Sequence, residues 1–480
     1  MEAIKTEPTV SRPTPTGGAI ALALAPGLAL LAIGTVLSVD NGGFATTVWY
    51  PAALIVLALA AVVLAAAPPR PSEAWLGVRG ALIAFAGYTA WSYLSILWAE
   101  VPAKAWDGAN RDLLYLLVFA LVTLRPWSAR AGRIALGVVV FVIAGVGIGE
   151  LIATAVRSNP SSLFLDGRLA APTGYSNATP ALWLMGGLPG LWLACDKTLP
   201  ALLRAAFAAV GTMLVELALL SQSRGSVLAL FVGIVVLLSF AQRRWPALIA
   251  LGTALAATAV SWSPLTAVHS ATRAGLPAAL HDARVAIVIS TVVVFALAAV
   301  AALLDDRIGK RLGPDATRRG NRALLGLLAI GIVAGLISMG NPSTWVNDRW
   351  QDFKKNQPAT GATRFNGSLG SQRYDVYRVG IDDFLDHPIQ GLGVDSFGPS
   401  YLVRGHTTDQ PHYAHSMVIS LLAETGIVGT ALFLAFLLLA GRAATRAIRS
   451  RRGVAAVGGL IGFAVFVGGA LVDWLWQFPG

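Results

Sequence analysis

The sequence predicts an all-α, polytopic integral membrane protein with about 12–14 transmembrane helices and one long extracytoplasmic loop containing short helices. Three observations carry that expectation. The chain is 55% hydrophobic and only 13% charged, about half the charge of a soluble globular domain. Its mean hydropathy is positive, at +0.66. Apolar stretches of about 17–25 residues recur along the whole length, each long enough to cross a ~30 Å hydrocarbon core. The pattern lacks the short alternating strands of a membrane β-barrel.

The elements follow in order. Residues 1–18 are rich in Pro and Thr without an apolar core, and read as a disordered cytoplasmic tail, not a cleaved signal peptide. A transmembrane bundle over 19–340 takes in spans near 19–39, 46–67, 77–98, 111–124, 133–156, 179–195, 203–221, 225–241, 246–262, 284–304 and 323–340. A loop over 341–414 separates it from C-terminal helices over 415–480, with spans near 415–440 and 454–472. Glycine pairs inside helices, Gly186-Gly187 and Gly458-Gly459, suit close helix packing in lipid.

Charge orients the bundle. With the N-terminus inside, about 22 of the 36 Lys and Arg fall on inside segments, notably Arg307 to Arg322 and Arg442 to Arg452. Short outside loops hold about 7 and the long loop about 7; long loops are discounted, so the bias is roughly threefold. The net charge of +11 therefore sets topology and does not imply nucleic acid. Cys195 is the only cysteine, which excludes a disulfide within the chain and a Cys-based metal site. Thirteen spans leave Asp473 to Gly480 outside, an abrupt ending. Either a further helix follows, or a weaker span such as 111–124 is misplaced.

Everything polar and unusual falls on the outside face. The loop at 157–178 carries Arg168 and Asn177, and the turn at 221–225 is Ser-Gln-Ser-Arg-Gly. The long loop ends in a helix-like segment, Ser371 to His387, stopped by Pro388. Its residues Tyr374, Tyr377, Ile381, Phe384 and Leu385 form an apolar face for the membrane surface or the bundle. Gly391-Leu392-Gly393 then leads back to His412-Tyr413-Ala414-His415-Ser416, at the mouth of the next apolar helix. Ionisable groups there are expensive and are functional candidates by default. Asp382, Asp383, Asp395 and Glu150 read as solvated or interfacial. Glu424 lies about 13 Å deeper than His415 and about 180° around the helix, which suits pairing with another helix. No His, Asp or Glu cluster has metal-ligand spacing, so neither a metal nor a cofactor is expected.

Three blocks in this order resemble the O-antigen ligase and polymerase superfamily of bacterial envelope enzymes. They are Ser221-Gln222-Ser223-Arg224-Gly225, Arg373 ahead of Pro388-Ile389-Gln390-Gly391-Leu392-Gly393, and Ala414-His415-Ser416 leading into Ala423-Glu424-Thr425-Gly426-Ile427-Val428-Gly429. The Trp98-Ala99 helix end and the Asp-Trp-x-Trp-x-Phe-Pro stretch from Asp473 are similar too. The resemblance runs from about residue 90 to 480. It implies a multi-pass glycosyltransferase of the bacterial cytoplasmic (inner) membrane with its active site on the extracytoplasmic face. Such an enzyme transfers or polymerises a glycan from an undecaprenyl-diphosphate carrier onto a hydroxyl of a glycan, lipid or protein acceptor. Two features depart from the family: Ser416 stands where Asn is common, and His412 is three residues before His415, where a closer spacing is common. The second puts the role of His412 in question more than that of His415.

The chemistry selects residues. Breaking the anomeric C–O bond of such a donor develops negative charge on a diphosphate, which guanidinium groups bind bidentately. Arg224, where a helix begins and its amides add to an anion site, and Arg373 are the catalytic candidates for that role. His415 is the candidate general base, since a histidine with a reference pKa of ~6.5 suits a hydroxyl proton. Arg168, Asn177, His412 and Arg378 are candidate substrate-binding residues. A small-anion transporter is the competing expectation; arginines and broken helices would then line a path near mid-membrane.

Overall fold

The computed structural model describes residues 17–66, 73–123, 127–241, 244–311, 341–355, 372–407, 410–449 and 453–480. The expected tail, apart from its last two residues, and the expected span at 323–340 lie outside them. Helices occupy each of the other twelve expected spans: α1 (Gly17–Val39), α2 (Thr46–Ala66), α3 (Glu73–Leu94), α4 (Pro102–Thr123), α5 (Ala129–Val156), α6 (Ala178–Ala194), α7 (Ala201–Leu219), α8 (Arg224–Phe240), α9 (Arg244–Val260), α11 (Leu276–Arg311), α15 (Met417–Arg449) and α16 (Gly453–Ala470). Between them lie α10 (Trp262–Ser270), α12 (Pro342–Lys354), α13 (Arg373–Asp386) and α14 (Phe397–Arg404). Among the described residues, seven helices are each long and apolar enough to cross a membrane: α2, α3, α5, α7, α11, α15 and α16. The pair α9 and α10, bent by 50°, is either a broken span or a re-entrant loop, and apolar stretches in α1 and α8 are shorter. The chain is an all-α, multi-pass membrane protein.

The short span expected at 111–124 is the inner part of a full helix. Pro102 starts α4 where its missing N–H costs nothing, and the added first turns carry Lys104, Asp107 and Asn110. Their polarity hid the helix from a hydropathy reading. Around α6 and α7 the bundle is tightest. A Cβ on Gly211 would stand 2.9 Å from the Gly187 carbonyl, so the two backbones meet through glycine. Gly458 likewise receives Leu136, whereas Gly459 faces open space.

Helix ends gather on two faces. One holds the starts of α5, α7, α9 and α16, where Arg133 meets Asp196 and Trp192 meets Val454. The other holds the 157–177 and 220–224 connections and α12 to α14. There Asp166 and Gly167, both at positive φ, turn a two-stranded hairpin, β1 (Phe164–Leu165) and β2 (Arg168–Leu169). Left-handed residues at both turn positions match the right-handed twist of the strands.

Two devices shape the second face. The packed face of α13 is Asp375, Val376, Val379, Gly380 and Asp383; Ile381 and Leu385 of the expected apolar face are 51% and 66% exposed, so of its two expected seats they do not take the bundle. Hydrogen bonds make this possible. Asp375 accepts from Tyr401 Oη and the His406 amide, at 2.8 and 2.7 Å, and Asp383 accepts from Ser400 at 2.6 Å. The packed side therefore does not have to be apolar. The second device is a break in α15 at Gly426 (φ 60°, ψ −165°). The turn and loop 388–393 thread the break, with Leu392 and Gly393 amides on the Ala423 and Glu424 carbonyls and the Ile427 amide on the Pro388 carbonyl, each 2.9 Å. Backbone groups released by the kink are thereby satisfied.

Candidate active site

Asp473, just past the end of α16, is the hub. It is 3% exposed, and five donors converge on its carboxylate. Tyr175 Oη, the Trp474 amide and His415 Nδ1 meet Oδ1 at 2.8, 3.0 and 3.3 Å. Asn177 Nδ2 and Arg373 Nη2 meet Oδ2 at 2.6 and 2.9 Å. Burial alone would raise this carboxyl. The Arg373 charge, with the bonds from His415 and Tyr175, overcomes that and holds it well below the usual carboxylate range.

An ionised carboxylate only accepts, so the His415 Nδ1 facing it carries a ring proton. His415 sits in the left-handed region (φ 49°), uncommon for a residue with a side chain. Tyr377 Oη donates to its carbonyl at 3.1 Å and fixes that turn. The imidazole is 24% exposed, as is the Arg373 side chain. Arg373 also donates to the Val472 carbonyl at 2.7 Å.

The structure thus brings His415, Arg373 and Asn177 together. Arg224, first residue of α8, is half-buried close by: a Cβ on its neighbour Gly225 would lie 3.2 Å from Val472. Ser223 caps the helix, its hydroxyl accepting from the Ser226 amide at 3.2 Å.

Three expected substrate-binding residues sit differently. Arg168 is 7% exposed and spends its guanidinium on the Ser221 and Ser176 carbonyls and Asn177 Oδ1. It ties the two loops on either side of the site and holds Asn177 for Asp473. Arg378 grips Asp375 and Asp382 and donates to the Arg404 carbonyl, joining α13 to the end of α14. His412 is exposed, with its backbone against Gly398.

Aromatic rings roof the hub. Trp474 stacks on Tyr413 and Phe478, each at 5.0 Å, and lies 4.6 Å from Tyr175. Phe44, 41% exposed, meets it edge-on at 5.7 Å. Below is a second buried polar group that the sequence reading missed. Asp395, expected in solvent, is buried and takes both oxygens to Arg111 Nη2 at 2.7–2.8 Å, with Gln477 Nε2 at 3.1 Å. Gly108 lets this loop close on α4, since a Cβ there would stand 2.3 Å from Val394. Glu424, expected to pair with another helix or to stay protonated, accepts the Phe397 amide at the start of α14, at 3.3 Å. Beside Arg224, Leu184, Val215, Ser223, Leu230, Leu255 and Trp262 line an apolar cavity of about 340 Å³. Among the described residues, no group of three or more His, Cys, Asp or Glu is placed to hold a metal ion.

Residues 284–434 match the model of the family described as O-Antigen ligase. The match spans just under a third of the chain. It takes in Arg373, His415 and both interlocked segments, while Arg168, Arg224 and Asp473 lie outside it. It supports the O-antigen ligase superfamily and, with it, a membrane protein that ligates or polymerises glycans. None of the curated proteins compared matches the chain.

Proposed function

We propose that this O-antigen ligase-like protein is a glycosyltransferase that moves or polymerises a glycan from an undecaprenyl-diphosphate carrier onto an acceptor hydroxyl, at the outer face of the bacterial cytoplasmic membrane. The observation that carries the reading is the His415–Asp473–Arg373 arrangement. A carboxylate orients the imidazole, and its lone-pair nitrogen is left to take a proton. In the proposed step the acceptor oxygen bonds to the anomeric carbon, its proton passes to His415 Nε2, and the anomeric C–O bond to the diphosphate breaks. Undecaprenyl diphosphate leaves, and Arg224 and Arg373 balance its growing charge. The aromatic roof offers flat apolar faces to sugar C–H edges, and the 340 Å³ apolar cavity beside Arg224 offers room for isoprenoid units. These ionisable groups cluster on one face, which favours an enzyme over a small-anion transporter.

The test is glycan transfer from a purified undecaprenyl-diphosphate oligosaccharide by reconstituted protein. His415→Ala is expected to lose turnover by about 100-fold or more with donor binding kept. Unchanged turnover in His415→Ala would remove the general base. No transfer by wild type, with anion uptake into the same liposomes, would make the transporter the better reading.

A further inference from the structure

A cavity of about 640 Å³ lies on the opposite face, between the start of α5, the α6–α7 and α8–α9 connections, and the junction of α15 and α16. Its lining carries three cations, Arg133, Lys197 and Arg449, against one carboxylate, Asp196. That carboxylate is already engaged. It pairs with Arg133 at 3.3 Å and accepts the Thr198 amide and hydroxyl at 3.0 and 2.7 Å. Arg133 also bonds the Thr198 hydroxyl, so the 196–198 turn holds one guanidinium in place at the rim. The remaining wall is apolar, with Trp192, Phe240 and Val457 among its members. A small soluble anion would use the cations and leave this wall in water. A ligand with a charged head and a hydrocarbon tail would use both.

We propose that this cavity binds the headgroup of an anionic phospholipid of the inner leaflet. Its phosphate faces Arg133, Lys197 and Arg449, and an acyl chain lies along Trp192, Phe240 and Val457. Basic pockets between transmembrane helices at the cytoplasmic surface are suited to such lipids, whose charge they complement. The site joins α5, α6 and α16 at the end of α16 remote from Asp473; Trp192 Nε1 already donates to the Val454 carbonyl there, at 2.8 Å. A lipid seated here would fasten the inner end of the helix whose outer end leads to Asp473.

The test titrates purified full-length protein in mild detergent with phosphatidylglycerol and with phosphatidylcholine of the same chains, counting bound lipid by native mass spectrometry. Phosphatidylglycerol is expected to bind about 10-fold tighter or more. Arg449→Gln, at an exposed position, is expected to cut that preference about fivefold, and Arg133→Gln with Arg449→Gln to abolish it. Equal binding of the two lipids, or a preference unchanged in both variants, overturns the proposal. Displacement of phosphatidylglycerol by equimolar inorganic phosphate would make the ligand a soluble phosphate and overturn the lipid assignment. Thermal unfolding of each variant separates lost binding from lost fold.

Discussion

At the scale of single residues, the Asp473 carboxylate decides how the site is wired. Asp473→Asn keeps the shape but removes the charge that fixes the His415 tautomer and balances Arg373. Transfer is expected to fall about 100-fold in kcat with KM for the donor little changed, read from steady-state kinetics. The same carboxyl predicts a pH signature. Its folded value is depressed, so its stabilisation is present above the unfolded value of ~3.9 and is lost as pH falls towards the folded one. Thermal stability of wild type should hold near neutrality and drop below about pH 5, and Asp473→Asn should lose less over that acid range. His415 and Arg373 were legible in the sequence because their neighbours form recognisable blocks. Asp473 was not singled out, since its side-chain partners lie 58 to 298 residues away. A signal existed, in that an acidic residue closing an apolar span is costly unless it serves.

At the scale of elements, the interlock between 388–393 and the broken α15 explains why two glycine-bearing blocks occur together. Gly426 is left-handed, and a Cβ on it would stand 2.3 Å from the Ile389 carbonyl oxygen. Gly391, also at positive φ, meets the Glu424 carbonyl group as closely, with 2.4 Å to its carbon. Gly426→Ala is therefore expected to destabilise the fold by at least ~2 kcal/mol, seen as a lowered Tm in micelles. Gly459→Ala, where the space is open, should leave Tm nearly unchanged. The long apolar helices were legible from apolar length, whereas the polar first turns of α4 were not. The packed side of α13 was not, because Asp375 and Asp383 draw their partners from residues up to 31 positions away, which periodicity cannot report.

At the scale of the whole molecule, the separation of a basic face from the Asp473 face makes a claim about sidedness. In a Cys195→Ser background, Ser343→Cys and Thr445→Cys, both exposed, should label with a membrane-impermeant maleimide from opposite sides. Ser343→Cys is expected to react on intact spheroplasts, and Thr445→Cys only after permeabilisation. Labelling of both from one side would refute the arrangement. The charge bias in the sequence predicts this orientation, while the convergence of loops around Asp473 depended on helix packing that hydropathy does not encode.

The five donors on that carboxylate also set a timetable for biogenesis. Tyr175 and Asp473 enter the membrane 298 residues apart, and at about 5–20 residues per second that gap corresponds to roughly 15–60 s of synthesis. During that interval Asn177, then Arg373 and last His415 join the growing chain, each ahead of the acid that aligns them. On the proposed function, a ribosome-bound intermediate is chemically idle until the last helices have been inserted and have closed on one another.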